Sequence, residues 1–342
     1  MTLSFVMSIG VVVGVLYIAV VANLFLVRFR NSAEVRHRQE LERLWLPLLA
    51  DGPEQASGEL PLLRRGDVVP FLILWNQLQE SFIGEAKTHL NAVARRLGID
   101  RTAHQLLEGR SLSRRLLAVS TLGHLGERSV WNDLVRMTAD GDGLLSLAAA
   151  RALTRIDAAA AMPVILPLIA QRRDWSRNYV LGMLSELGAD VVSRPLTEAA
   201  MRLPIEQADR LLQYFSVAHV ADAVPVVRSI ITRTQNVECL AACLRVFADV
   251  DDLDTVREYL YHPSWQVRVQ AVNVLARLGS ARDFAALALL LTDSEWWVRY
   301  RTAKAMCALP GVDMARIHQL SAEHHDAFAR DMLVHVLAEA HA

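Results

Sequence analysis

Residues 293–304 read DSEWWVRYRTAK, which sets Trp296 and Trp297 beside Arg299, Tyr300 and Arg301. Indole faces stack on bases, sugar rings and flat cofactors, and a neighbouring guanidinium adds a cation–π contact or a fork for an anion. Trp and Arg are also the side chains that most often anchor protein interfaces. The pairing of Trp with a following Arg recurs at Trp265 and Arg268 and at Trp175 and Arg177. These eight residues, Trp297, Tyr300, Arg301, Arg299, Trp265, Arg268, Trp175 and Arg177, are the candidates for partner binding.

Other reactive side chains form no comparable constellation. Cys239 and Cys243 lie one helical turn apart in an apolar stretch with no third ligand near, and Cys307 is remote. That usage fits small buried thiols in a reducing compartment. His124, His219, His262 and His318 are scattered without ligand spacing, and His324 and His325 are adjacent rather than one turn apart. No H-E-x-x-H, G-x-S-x-G, Walker A or G-x-G-x-x-G sequence is present. A formal net charge of −1 over 342 residues does not suit a dedicated nucleic-acid binder. The expectation is a non-enzyme with no catalytic or metal site, no cofactor and no small-molecule substrate.

The elements that must position the tryptophans are read from periodicity. Leu125, Ile156, Leu187 and Ala218 stand 31 residues apart, and after one unit of 29 the series resumes at Phe247, Leu278 and Leu309. Three residues before each is a second apolar column, Leu122, Leu153, Leu184, Phe215, Leu244, Leu275 and Met306. Four residues earlier lies a third: Ala118, Ala149, Val180, Leu211, Leu240, Ala271 and Thr302. Offsets of four and three describe one helix face. Leu134, Ile165, Leu196 and Val227 mark a second helix in each unit. Gly126, Gly188 and Gly279 are placed to close first helices in a left-handed conformation, and Pro163, Pro195 and Pro225 fall near the start of second helices, where a missing N–H costs little. Against this frame Trp296, Val298 and Arg299 repeat Trp265, Val267 and Arg268, whereas Trp297, Tyr300 and Arg301 replace Gln266, Val269 and Gln270. The latter three are what the repeat does not require.

The fold class expected is all-α: an α-solenoid of about seven and a half helix pairs over 111–342, preceded by one transmembrane helix. Residues 3–27 contain no charged side chain, a length sufficient to span a bilayer. They lack the basic start and small-residue cleavage site of a signal peptide. Arg28, Arg30, Arg36, Arg38 and Arg43 follow, so the positive-inside rule places the N-terminus outside and the rest in the cytoplasm. Gly10 and Gly14, with Asn23, are candidates for contact with another membrane helix. A juxtamembrane helix is expected over 28–50, a linker over 51–66 and a helical N-terminal cap over 67–110.

The units VRVQAVNVLARLG (267–279) and VRYRTAKAMCALP (298–310) resemble HEAT repeats, and their short length is similar to the HEAT-like repeats of phycobilisome lyases. With the apolar N-terminus, LWN (74–76), RRDW (172–175) and WWVRYR (296–301), the whole chain resembles bacterial membrane-anchored HEAT-repeat proteins. That resemblance implies a scaffold in the inner membrane, with a protein partner such as an envelope glycosyltransferase or other exopolysaccharide component. Two alternatives stay open. One is a bilin-lyase-like or chaperone-like protein acting on a protein substrate. The other is a receptor-like unit signalling through transmembrane helix pairing. A topology reporter fused to the C-terminus should be active in the cytoplasm; activity outside the membrane would refute the orientation.

Overall fold

The computed structural model describes residues 36–50 and 60–340. The expected membrane span over 3–27, including Gly10, Gly14 and Asn23, lies outside the described residues, as does most of the linker. Among the described residues every regular element is helical, and none is long and apolar enough to cross a membrane.

Helix α1 occupies 36–50, followed by α2 (Val68–Ser81), α3 (Glu85–Arg96) and α4 (Ile99–Leu107). The helical cap expected over 67–110 is thus built of three helices. Gly98, at φ 68°, ends α3 and lets the chain turn directly into the nine-residue α4. Trp45 and Phe71 meet edge to face at 4.8 Å, and Trp75 donates its indole N–H to Leu90 O at 2.9 Å. Leu74, Trp75 and Asn76 are therefore core residues, with Asn76 donating to Leu72 O and Thr121 Oγ1.

Helix pairs then succeed one another along the chain: α5 (Leu112–Leu125) and α6 (Trp131–Thr138), α7 (Gly143–Ile156) and α8 (Ala158–Gln171), α9 (Arg177–Leu187) and α10 (Ala189–Arg202). Next come α11 (Ile205–Leu212) and α12 (Val220–Ile231), then α13 (Val237–Val246) and α14 (Leu253–Glu258). The series closes with α15 (Trp265–Leu278) and α16 (Phe284–Leu289), α17 (Trp296–Ala308) and α18 (Met314–Glu323), and the single α19 (Ala327–Ala340). They form two compact units, one ending at Ile156 and one beginning at Asp157. In the first, α5 packs on α2, α4 and α7. In the second, α11, α13, α15, α17 and α19 pack successively on one another, and α8, α10 and α12 do the same. Such nearest-neighbour stacking is the arrangement of an α-solenoid.

The second and third apolar columns are buried at every position. The closing column is looser: Leu125, Phe247 and Leu309 are buried, while Ile156, Leu187, Ala218 and Leu278 are half-buried. Small residues set the helix spacing. A Cβ on Gly123 would lie 2.9 Å from Ala152 Cα, so α5 and α7 meet backbone to backbone.

Two expectations about helix ends need correction. Of the three closing glycines only Gly126 is left-handed in both angles, at φ 67° and ψ 35°. Gly188 has φ 81° but ψ 161°, and Gly279 has φ −74°. Gly279 is needed for space: a Cβ there would sit 2.4 Å from Leu275 O, the carbonyl its own N–H bonds, and 2.8 Å from Asp283 Oδ2, the oxygen that accepts from Ser280 N. The prolines stand beyond the first turn of their helices, where the missing N–H does leave a carbonyl without its donor. Pro163, Pro195 and Pro225 lie inside α8, α10 and α12, and Pro167 joins them. Those helices start a turn or more earlier because Asp157, Gly188 and His219 already turn the chain.

In the first unit Glu80 gathers two cations, ion-pairing with Arg151 at 2.9 Å and Arg155 at 2.5 Å, and lies 3.4 Å from His124 Nε2. Burial would raise the Glu80 carboxyl, but the hydrogen bond and charge of Arg155, helped by Arg151, hold it below the usual range. His124 is driven from the ordinary 6.5 to about 3, first by burial and then by the charge of Arg155, against the pull of Glu80. The fold thus keeps this imidazole neutral while the unfolded chain protonates it. Stability of this unit is expected to fall as pH drops from 6.5 towards 3, by at most about 1.4 kcal/mol per pH unit for one proton. Urea midpoints across that range should show the slope, and His124→Gln should flatten it.

Candidate protein-docking surface

The tryptophan–arginine cluster occupies the first turns of α17, and its construction starts in the loop before it. Asp293 Oδ1 accepts from Glu295 N at 2.9 Å, turning the chain into the helix. Arg299 then reaches back, its Nη1 donating to Asp293 O at 2.6 Å and Ser294 O at 3.1 Å. The same device holds the neighbouring helices. Arg268 Nη1 donates to His262 O and Pro263 O, and Arg330 Nη1 to His324 O and His325 O. Each arginine thus binds the carbonyls six and five residues before it, and the three stand 31 apart.

The other edge of Arg268 is a fork. Its Nε and Nη2 donate to Asp293 Oδ2 and Oδ1 at 2.8 and 2.7 Å, joining α15 to the head of α17. Both side chains are well covered, at 12% and 7% exposure. Arg115 faces Asp140 at 3.8 Å with the same spacing of 25 residues, in the unit ending at Ile156. At α17 the pattern breaks. Twenty-five residues beyond Arg299 stands His324, whose Nδ1 accepts from Asp326 N. Among the described residues Arg299 Nε is buried without a hydrogen-bond partner.

Above the arginine lies an aromatic group. Trp296 and Tyr300, one turn apart, stack at 5.1 Å with 8° between planes, and Trp297 meets Trp296 edge to face at 4.8 Å. Trp296 is 44% and Trp297 51% exposed. Tyr300 is tied to α19: its hydroxyl hydrogen-bonds Glu339 Oε2 at 2.9 Å, and Lys304 Nζ lies 5.5 Å from its ring centre. Arg301 is exposed. The sequence reading missed Phe328, 72% exposed at the head of α19. The signal was present, since Gln266, Trp297 and Phe328 occupy one column at steps of 31. A cavity of about 370 Å³ separates the two helices, walled by Trp296, Arg299, Phe328, Asp331, Met332 and His335.

The remaining candidates divide. Trp265 is half-buried and Arg268 is committed to its fork. Trp175 is only 5% exposed, with the Arg172 guanidinium 5.7 Å from its ring centre, so it offers a partner almost no surface. Arg177 is exposed and lines a larger concavity of about 640 Å³ with Arg173, Arg210 and Arg245, where Asp209 and Glu238 offset the charge. Cys239 and Cys243 are buried. The hydrogen bond from Cys239, with burial, pushes the Cys243 thiol up, away from the thiolate that metals and electrophiles require. Among the described residues no group of three or more His, Cys, Asp or Glu could hold a metal ion.

A family model described as HEAT repeats matches residues 221–307, from α12 into α17. Repeats of this kind form protein-interaction scaffolds more often than enzymes, and their stacked helices present extended binding surfaces. No curated protein matches the chain.

The fork and the loop bonds predict a hierarchy. Arg268→Met strands the covered Asp293 carboxylate and should lower stability by about 3 kcal/mol. Arg299→Met removes only bonds to carbonyls and should cost about 1 kcal/mol. Urea denaturation of the two variants checks the order.

Proposed function

We propose that this protein is a non-enzymatic, membrane-tethered scaffold whose HEAT-type helix array binds a protein partner. The observation that carries the reading is the exposure of Trp296 and Phe328 on the walls of one cavity, with Trp297 exposed against Trp296, in and just beyond the segment that the HEAT model matches. Exposed aromatics beside an arginine have the composition of an interface anchor. The uncharged stretch 3–27 supplies the tether, with the N-terminus outside and the array on the cytoplasmic side. Holding the array at the membrane raises its effective concentration towards partners there without any new contact. A membrane glycosyltransferase of an exopolysaccharide system is the partner class favoured by the resemblance.

The test is recovery of a membrane protein with the full chain in mild detergent. Trp297→Ala and Phe328→Ala should each reduce recovery about tenfold, the loss of roughly 1.4 kcal/mol. Helicity and melting temperature should be unchanged. Undiminished recovery, or variants that melt early, would remove the docking reading.

A further inference from the structure

Arg268, Arg299 and Arg330 hold their loops alike, which makes the repeat its own control. At Arg268 the free edge of the guanidinium is filled by a carboxylate that the next unit supplies, Asp293. At Arg299 the residue in the equivalent place is His324, which gives that edge no acceptor and leaves Nε without a partner. Arg299 meanwhile lines the cavity between α17 and α19. Asp331 lines the same cavity and makes no ion pair with Arg299 among the described residues.

We propose that the cavity between α17 and α19 is a carboxylate-accepting site, in which one Asp or Glu side chain of a protein partner completes the Arg299 fork. This rests on the docking reading and specifies its chemistry. The acid plays the part that Asp293 plays for Arg268, a planar two-oxygen match to the guanidinium edge. Trp296 and Phe328 wall the site, so the residues flanking the partner's acid are apolar or aromatic. Asp331 restricts the charge: it offsets part of the Arg299 field and disfavours a run of acids, so the motif is a single carboxylate in apolar surroundings. Nε is covered in the unliganded protein, so entry of the acid involves a small shift of the guanidinium or of the Trp296 ring.

The test uses the full chain and a labelled peptide with both termini blocked, carrying one Asp between leucines, read by fluorescence anisotropy beside its Asn counterpart. The Asp peptide should bind about tenfold more tightly, a difference of 1.4 kcal/mol. Arg299→Gln should erase the preference. Because that change also removes the loop bonds, His324→Asp is the decisive variant: it keeps every native bond of Arg299 and places an acid where the preceding unit has one. His324→Asp should raise the melting temperature and abolish the preference for Asp, while Asp331→Asn should strengthen it. Equal binding of the two peptides to the wild type, or a preference that survives His324→Asp, overturns the proposal. A peptide bound only when its C-terminus is free also overturns it, since the ligand would then be a chain end. Loss of partner recovery in Trp297→Ala with no preference between peptides would leave the docking reading standing and remove the carboxylate alone.

Discussion

A pair of helices of about thirty residues has an apolar stripe on two sides and too little interior to cover both. Each unit therefore needs its neighbour, and the alignment of neighbours becomes the constraint that the rest of the molecule serves. Apolar columns bury the contact but are not directional, since leucines slide past leucines at little cost. The arginine at the head of the first helix supplies direction. It binds the two carbonyls of the loop that begins its own helix and, at Arg268, the carboxylate that begins the next. One side chain thus fixes both the entry angle of its helix and the position of the following one.

Much of this was legible in the sequence. The thirty-one-residue spacing follows from geometry, because a helix pair of constant length returns the same face to the same neighbour. Hence the columns through Leu153 and Ala149 translate directly into buried positions. Helix ends were less legible. Gly279 and Gly126 occupy the same step of the repeat for different reasons, one to make room for the Leu275 carbonyl and the Asp283 carboxylate and one to adopt a left-handed turn. The letter G does not distinguish space from conformation. Trp175 shows a similar limit: Trp followed by Arg reads alike whether the ring is covered or open, and only the packed neighbours separate Trp175 from Trp297. Phe328 and Arg330 were within reach, since they lie one step beyond Trp297 and Arg299.

Near α17 the two levels meet. Trp297, Tyr300 and Phe328 are additions to the repeat, while Arg299 is a member of it without the acid found beside Arg268. Change on both sides of one cavity distinguishes this place from the joint at Arg268, where every polar group of the fork is answered within the chain. A scaffold of repeats is well suited to such a departure. Each joint bears only on its neighbours, so one relaxed joint leaves the others intact.

The prolines of the second helices have a consequence for where a partner lies. Pro163, Pro167, Pro195 and Pro225 have no N–H, so the carbonyls of Ala159, Pro163, Val191 and Ala221 lose the donor that a helix would bring them. Ala159, Pro163 and Ala221 are exposed and Val191 is half-buried, within reach of water. Each of these four carbonyls lacks the donor that its own helix would bring. An apolar surface pressed against them would strip the water away and strand those oxygens, even though Pro163, Pro167 and Pro195 make the groove beside them oily. Water on those carbonyls thus disfavours closure of these helices on hydrophobic neighbours.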